Sequence, residues 1–520
     1  AKSIAAGLPT EGEGKSVALN LDTSIGGSGE KGGDGGAVSI VVERTGSIKT
    51  TGDGASALTV QSIGGGGGSG GDSTAASGTA TLGSAFSQLT LGQSEIEEKS
   101  VKMNLDVAIG GTGKGGGKGN TAYAYSKGNI STTGDFAYGM LVQSIGGGGG
   151  SGGNGESDSI GLFGDSTATT SFNLGGSADA AANGGTAYGG VSSTGAILTT
   201  GNNARGLVVH SIGGGGGNGG SGSSDVDANW TASIGIGGSG GGGGDGGSVY
   251  AWNQGEITTK GDASDGMLVQ SIGGGGGAGG SGTSSVSHSW EIKKKLASFR
   301  GVTMKSGLRV DTKIGGTVGA SGGDGGAGGN VVVGQKPGGS QIYSDGKITT
   351  SGPTSHGIVA QSIGAGGGAL ATTSNQTSLK LTDSTELFVP EVNLTIDMGG
   401  STVSTRGSSG SVMVNASNIY TGGFSSIGII AQSIAGGGGI GTFSGYTPSS
   451  LSMTLGGKYI GSAGNTQNSA SSGDVKVELF GNQNIKTTGD NAIAIVGQSI
   501  SYGGGIGVVA LGTSDSVNDD

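Results

Sequence analysis

An all-β chain, a repetitive parallel β-solenoid (β-helix), is what the sequence predicts, on three observations. The tripeptide Gln-Ser-Ile returns at Gln61, Gln143, Gln270, Gln361, Gln432 and Gln498, each time with a glycine run behind it. Variants beginning at Lys2 and His210 keep the Ser-Ile pair, so the serines recur at intervals of 59 to 91 residues. Between them apolar residues alternate with small or polar ones, the period of a strand with one buried face. Self-similarity at this spacing marks a stack of about seven units, not a set of globular domains.

The units are 15–99, 100–169, 170–228, 229–302, 303–390, 391–450 and 451–520, after a partial repeat end at 1–14. Each opens on an alternating strand such as Val101, Met103, Leu105, Val107 and Ile109. A glycine-rich arm follows, for example Gly26 to Gly36, and then a second strand such as Val38 to Val42. The next segment reads Gly-x-Ile-x-Thr-x-Gly-Asp-x-Ala-x-Gly, most fully from Gly128 to Gly139. Its Gly-Asp supplies a tight turn, and Asp135 is expected to hold that turn through side-chain bonds to backbone amides. The strand Met140 to Ile145 puts Met140, Val142 and Ser144 on one face, and Leu141, Gln143 and Ile145 on the other. Stacking of equivalent strands allows ladders of Thr, Asn and Gln along the rod. Three coils per unit give about twenty coils, a rod on the order of 100 Å.

Two readings are open for the tracts that begin at Gly64, Gly146, Gly213 and Gly273. Glycine favours flexible loops, but three-per-turn polyglycine helices also pack closely where only hydrogen fits. The packed reading makes Gly148→Val costly and protects residues 146–150 from hydrogen exchange.

Composition narrows the function classes. Of 520 residues, 128 are Gly, 12% are charged and 4% aromatic, too lean for a thick core but sufficient for thin stacked layers. Net charge is −11 and no basic cluster neutralises phosphates, which argues against nucleic acid and anionic membrane surfaces. With no Cys, disulfides and thiolate metal sites are excluded. No apolar run reaches bilayer-spanning length, so direct membrane insertion of this segment is not expected. The opening Ala1 to Gly7 reads as a repeat tail, which places the start inside a longer precursor.

The motif Gly-Asp-x-Ala-x-Gly-(apolar)-x-x-Gln-Ser-Ile-Gly-Gly-Gly-Gly-Gly-x-Gly-Gly resembles the passenger repeats of large autotransporter-like adhesins of Gram-negative, especially alphaproteobacterial, bacteria. Gly134 to Gly153 matches it throughout, while Gly261 to Gly280 departs at Ser264 and Gly201 to Gly220 at Asn202 and His210. The resemblance implies export to the bacterial outer membrane and cell surface, a β-solenoid passenger and a C-terminal membrane barrel, which is either beyond this segment or absent. It also implies an adhesive, non-enzymatic role toward a glycan or protein on a host or neighbouring cell.

Chemistry is sparse. Asp34, Asp245 and Asp324 lie in Gly-Gly-Asp-Gly-Gly and are the candidates for calcium, since stacked carboxylates and carbonyls supply oxygen ligands. Their spacing is not that of calcium-binding β-rolls, and no cofactor is otherwise expected. Recurrent Asp residues read as turn formers, whereas a catalytic carboxylate pair occurs once, in a cleft. His210, His288 and His356 have no ligand spacing, and His210 stands in a Gln place. The insertion from Ser284 to Val302 gathers Trp290, Lys293, Lys294, Lys295, Phe299 and Arg300, a contact patch for a partner or a capping loop. Alternatives to the adhesive rod are a tailspike-like polysaccharide-binding or -degrading protein and a self-polymerising fibre subunit.

Overall fold

The computed structural model describes residues 2–8, 17–80, 101–162, 167–227, 230–288, 311–335, 344–369, 374–379, 391–398, 407–436, 440–446, 451–455, 470–479, 484–501 and 506–512. Among them every regular element is a β-strand. The second unit gives the order: strand a (Val101–Ile109), strand b (Ala122–Ser126), strand c (Asn129–Thr132), strand d (Met140–Ile145) and strand e (Gly155–Leu162).

Each strand pairs in parallel with its counterpart in the neighbouring units. Leu21 lies opposite Leu105 and Leu105 opposite Thr170, while Gln61, Gln143 and His210 form one row. The b, c and d sheets hold seven strands each, the a-sheet eight and the e-sheet five, with a further pair at Ile440–Tyr446 and Ile506–Gly512. Lys2–Leu8 runs antiparallel along Val17–Ile25 at one edge of the a-sheet. A unit therefore adds one strand to each sheet, which corrects the expectation of three coils. Its residues spread sideways through five strands and two glycine tracts in a single layer. Seven layers at about 4.8 Å span roughly 30 Å, not 100 Å.

Strands b, c and d enclose an apolar core. Ala122, Ala124, Ile130, Met140 and Val142 of one unit meet Ala187, Ile197, Leu207 and Val209 of the next. Met140, Val142 and Ser144 are fully buried, as alternation requires, and the other face of strand d is half-buried. There Leu141 packs with Val208, Leu268 and Val359, so that strand is covered on both sides.

The corner between c and d is locked by threonine. Thr132 Oγ1 donates to the carbonyl of Ala137 at 2.7 Å, and Thr50, Thr199, Thr259, Thr350 and Thr421 each repeat the bond. The residue after the Gly-Asp pair, or its equivalent, takes a left-handed φ in all seven turns. It is Gly54 only once; Phe136, Asn203, Ala263, Thr354, Ser425 and Asn491 hold the place elsewhere. Asp135 does not bond its own turn. Its carboxylate accepts the amide of Asn202 one layer on at 2.7 Å, as Asp53 accepts that of Asp135 at 3.0 Å. Parallel stacking brings the next layer's amide closer than the turn's own.

The glycine tracts are ordered. Gly26, Gly29, Gly32 and Gly35 donate to the carbonyls of Ile109, Thr112, Gly115 and Lys118 in the next layer. Gly65, Gly68 and Gly71 donate to Gly33, Glu30 and Gly27, so the tract between d and e runs antiparallel beside the tract between a and b. A period of three with bonds only between segments is the polyglycine arrangement. Most glycines in two phases of every three have no space: a Cβ on Gly147 would sit 2.0 Å from the Gly65 carbonyl, and one on Gly150 2.1 Å from Gly68. Lys114, Ala178, Ala181 and Ala182 carry side chains in those phases elsewhere. Every third position opens outward. At Gly148 the nearest atom is 3.4 Å away and at Gly275 4.0 Å, which corrects the expectation that Gly148→Val is costly. Ser151, Asn154, Thr112 and Lys118 occupy such third positions.

Strands a and e face each other at the far side of the slab, with the amphipathy reversed. Asp106, Ser171, Asn173 and Ser233 are fully buried between the two sheets, while Ile25 is 69%, Met103 48% and Trp230 52% exposed. The alternation was expected to bury its apolar set here; it buries the polar one.

Candidate functional surfaces

The serine of Gln-Ser-Ile staples strand d to the glycine slab. Ser144 Oγ donates to the carbonyl of Asn120 at 2.6 Å in its own layer and accepts the amide of Gly185 at 2.8 Å from the next. Ser62, Ser211, Ser271, Ser362 and Ser433 repeat both bonds. The glutamine forms an outer ladder, Gln61 to Gln143 at 2.7 Å and Gln361 to Gln432 at 2.6 Å. These two roles account for the recurrence of the tripeptide, and both are structural.

His210 interrupts that ladder, with Nδ1 3.5 Å from Gln143 and Nε2 buried without a partner. Burial, helped by the nearby Arg205 charge, pulls its pKa down to about 4. A second histidine closes a polar column beside the c–d corner. Arg205 Nε binds Asp265 at 2.9 Å, Asp265 accepts the amide of His356 at 2.9 Å, and His356 Nδ1 accepts that of Ile427 at 2.9 Å. The last bond requires Nδ1 unprotonated, and burial likewise lowers the His356 pKa, with Asp265 opposing and Arg205 assisting. Sequence spacing gave no sign of this column, because its members are 60 to 91 residues apart.

The calcium candidates are not brought together. Asp34 caps the amide of Lys118 at 2.8 Å and Asp245 that of Ala327 at 2.7 Å, each one layer on. Asp324 lies in another row, where its carbonyl accepts from Gly243. Among the described residues no group of three His, Cys, Asp or Glu is placed to hold a metal ion. Trp290, Lys293, Lys294, Lys295, Phe299 and Arg300 lie outside the described residues.

Two surfaces that sequence reading missed stand out. On the b-sheet, Tyr123, Tyr188 and Tyr250 form a column with ring centroids 6.2 and 5.1 Å apart. Beside it Trp252 is fully buried over Gly190, where a Cβ would lie 2.1 Å from the indole. The alternation in Tyr123 and Tyr125 was the available signal. The other surface is the apolar outer face of the a-sheet. Buried carboxylate is the counterpart inside: Asp106 accepts from Ser77 at 2.8 Å, and desolvation nonetheless raises its pKa.

Compared with protein-family models, curated proteins and solved structures, the chain matches none. Function therefore has to be argued from the surfaces themselves.

Proposed function

We propose that this chain is a β-solenoid segment of an extracellular, non-enzymatic surface protein, a stack of about seven units that serves bacterial attachment, cell–cell contact or biofilm formation. One observation carries the reading: the b, c and d sheets each add one strand per unit in parallel register through seven strands. Equivalent side chains then recur along the stack, and a repeated surface turns weak single contacts into avidity. The composition motif shared with adhesin passengers supports the same reading. Displayed on a non-adherent bacterium, the segment should increase attachment to cells or glycan-coated surfaces. Unchanged attachment would remove the adhesive reading.

A polysaccharide-binding or -degrading role is the second reading, favoured by the tyrosine column on the b-sheet. Tyr123, Tyr188 and Tyr250 repeat one layer apart, with centroids 6.2 and 5.1 Å apart, an aromatic strip with polar hydroxyl tips along the stack. Release of reducing sugar from candidate glycans would support this reading over the first.

A further inference from the structure

We propose that the outer face of the a-sheet is an interface between two copies of this chain, packed sheet on sheet with the stacks side by side. The face is continuous across units. Ile25, Ile109, Leu174, Ile236 and Val318 form one column, and Val107, Phe172 and Ile234 belong to the next. Among the described side chains from Leu21 to Met398, no outward position of an a-strand carries a charge. Asp22, Asn104, Asp106, Asn173 and Lys313 of these strands turn inward and are buried.

Size argues for a partner. About 30 Å along the stack by about 20 Å along the strands gives on the order of 600 Å². Monomeric proteins rarely leave a patch larger than roughly 300–600 Å² uncovered. Two such faces bury about 1,200 Å² in all, past the roughly 1,000 Å² that a specific interface needs. Burying the polar side of the sheet while leaving the apolar side in water is an unfavourable arrangement that only a cover corrects.

A second copy fits that cover best. It alone brings an uncharged face with the same strand pitch and the same column spacing, so the side chains of two sheets about 10 Å apart can interdigitate. A two-fold axis in the plane between the sheets makes the contact self-complementary. An anionic lipid surface is a poor match, because the chain carries a net charge of −11. That same charge makes two copies repel at low salt, so association should strengthen as salt screens it. This inference stands whether or not the chain adheres to anything.

Sedimentation velocity on the full chain tests it. The wild type should move, with rising concentration, from one chain of 49.1 kDa to twice that mass, and more readily at higher salt. Ile234→Glu and Ile314→Glu, on side chains already 36% and 38% exposed, should weaken association at least tenfold with an unchanged circular dichroism spectrum. Lys49→Glu, exposed on the c-sheet, should leave the dimer intact. A wild type that stays monomeric at every concentration overturns the proposal. So does a dimer that survives both glutamates, or a monomer that floats with phosphatidylcholine vesicles.

Discussion

The two ends of each layer use the same alternating strands in opposite senses. In the b, c and d sheets the apolar set points inward and makes the core, as Ile130, Met140 and Val142 show. In the a-sheet Leu105 and Val107 point outward, while Asn104 and Asp106 are buried against strand e. Period-two patterning tells that a strand has two unlike faces. It does not tell which face the fold turns inward, because that depends on what lies opposite. Strand e offers serines, so a hydrogen-bonded interior forms: Ser224 donates to Ser171 at 2.8 Å and Asn173 to Ser157 at 2.8 Å.

The largest expected effect separates the two ends directly. Ile257→Ala, at a fully buried core position of strand c, should cost about 2–5 kcal/mol. Ile234→Ala in the same unit, on the outer a-face, should cost the monomer no more than about 0.5 kcal/mol. Urea denaturation at dilute concentration reads both, and equal losses would erase the distinction between the ends.

The slab between them sharpens the comparison at single-residue scale. Gly150→Val should cost about 1–3 kcal/mol through overpacking, whereas Gly148→Val should be nearly neutral. Amides of Gly146, Gly147, Gly149 and Gly150 donate within the slab and should exchange slowly. Gly148 should exchange fast, a two-in-three rhythm that loose loops cannot produce.

Acid provides a third probe, at the outer side of strand d. The His210 pKa falls from 6.5 to about 4 in the fold, so the unfolded chain takes the proton first. Its contribution is full above pH 6.5, declines as pH falls toward about 4, and amounts to the order of 1–3 kcal/mol. Asp106, whose pKa burial raises, has the opposite sign and gains on acidification. The difference between wild type and His210→Gln isolates the histidine: the variant restores the glutamine ladder and should lose less stability between pH 7 and 4. Parallel pH curves would show that the His210 site is wetter than its geometry implies.

The smallest effect concerns the turns. Thr354 holds φ at 52°, a left-handed value that a β-branched residue adopts only at a cost. Thr354→Gly should raise stability by a few tenths to about 1 kcal/mol, less the entropy glycine adds to the unfolded chain. A lower melting temperature would mean that the Thr354 hydroxyl bond to Pro353 outweighs the strain.

Much of the architecture was legible because it is local. Alternation located the strands, and the threonine before Gly-Asp lies within one turn of its bond. Interlayer facts were not. Asp135 was assigned to its own turn because sequence shows only neighbours in the chain, whereas its partner Asn202 is 67 residues away. The number of layers per unit also escaped, since length alone does not say whether residues stack or spread. The triplet phase of the slab was written in the sequence at Ser151 and Asn154, three apart, but only packing explains it. Of the candidate sites, Asp34 and Asp245 resolved into amide caps.

The open third positions of the slab amount to a grid. Along a tract they recur about every 9 Å, and from layer to layer about every 4.8 Å. The bonds that join the tracts beneath are backbone, and what stands on the grid adds caps to the next layer's amides, as Asp245 does for Ala327 and Asn154 for Ser221. Serine, asparagine, lysine, aspartate and alanine already share these places, at Ser151, Asn154, Lys118, Asp245 and Ala278. Surface chemistry here can be rewritten by design at positions such as Gly148 without breaking the backbone bonds between tracts.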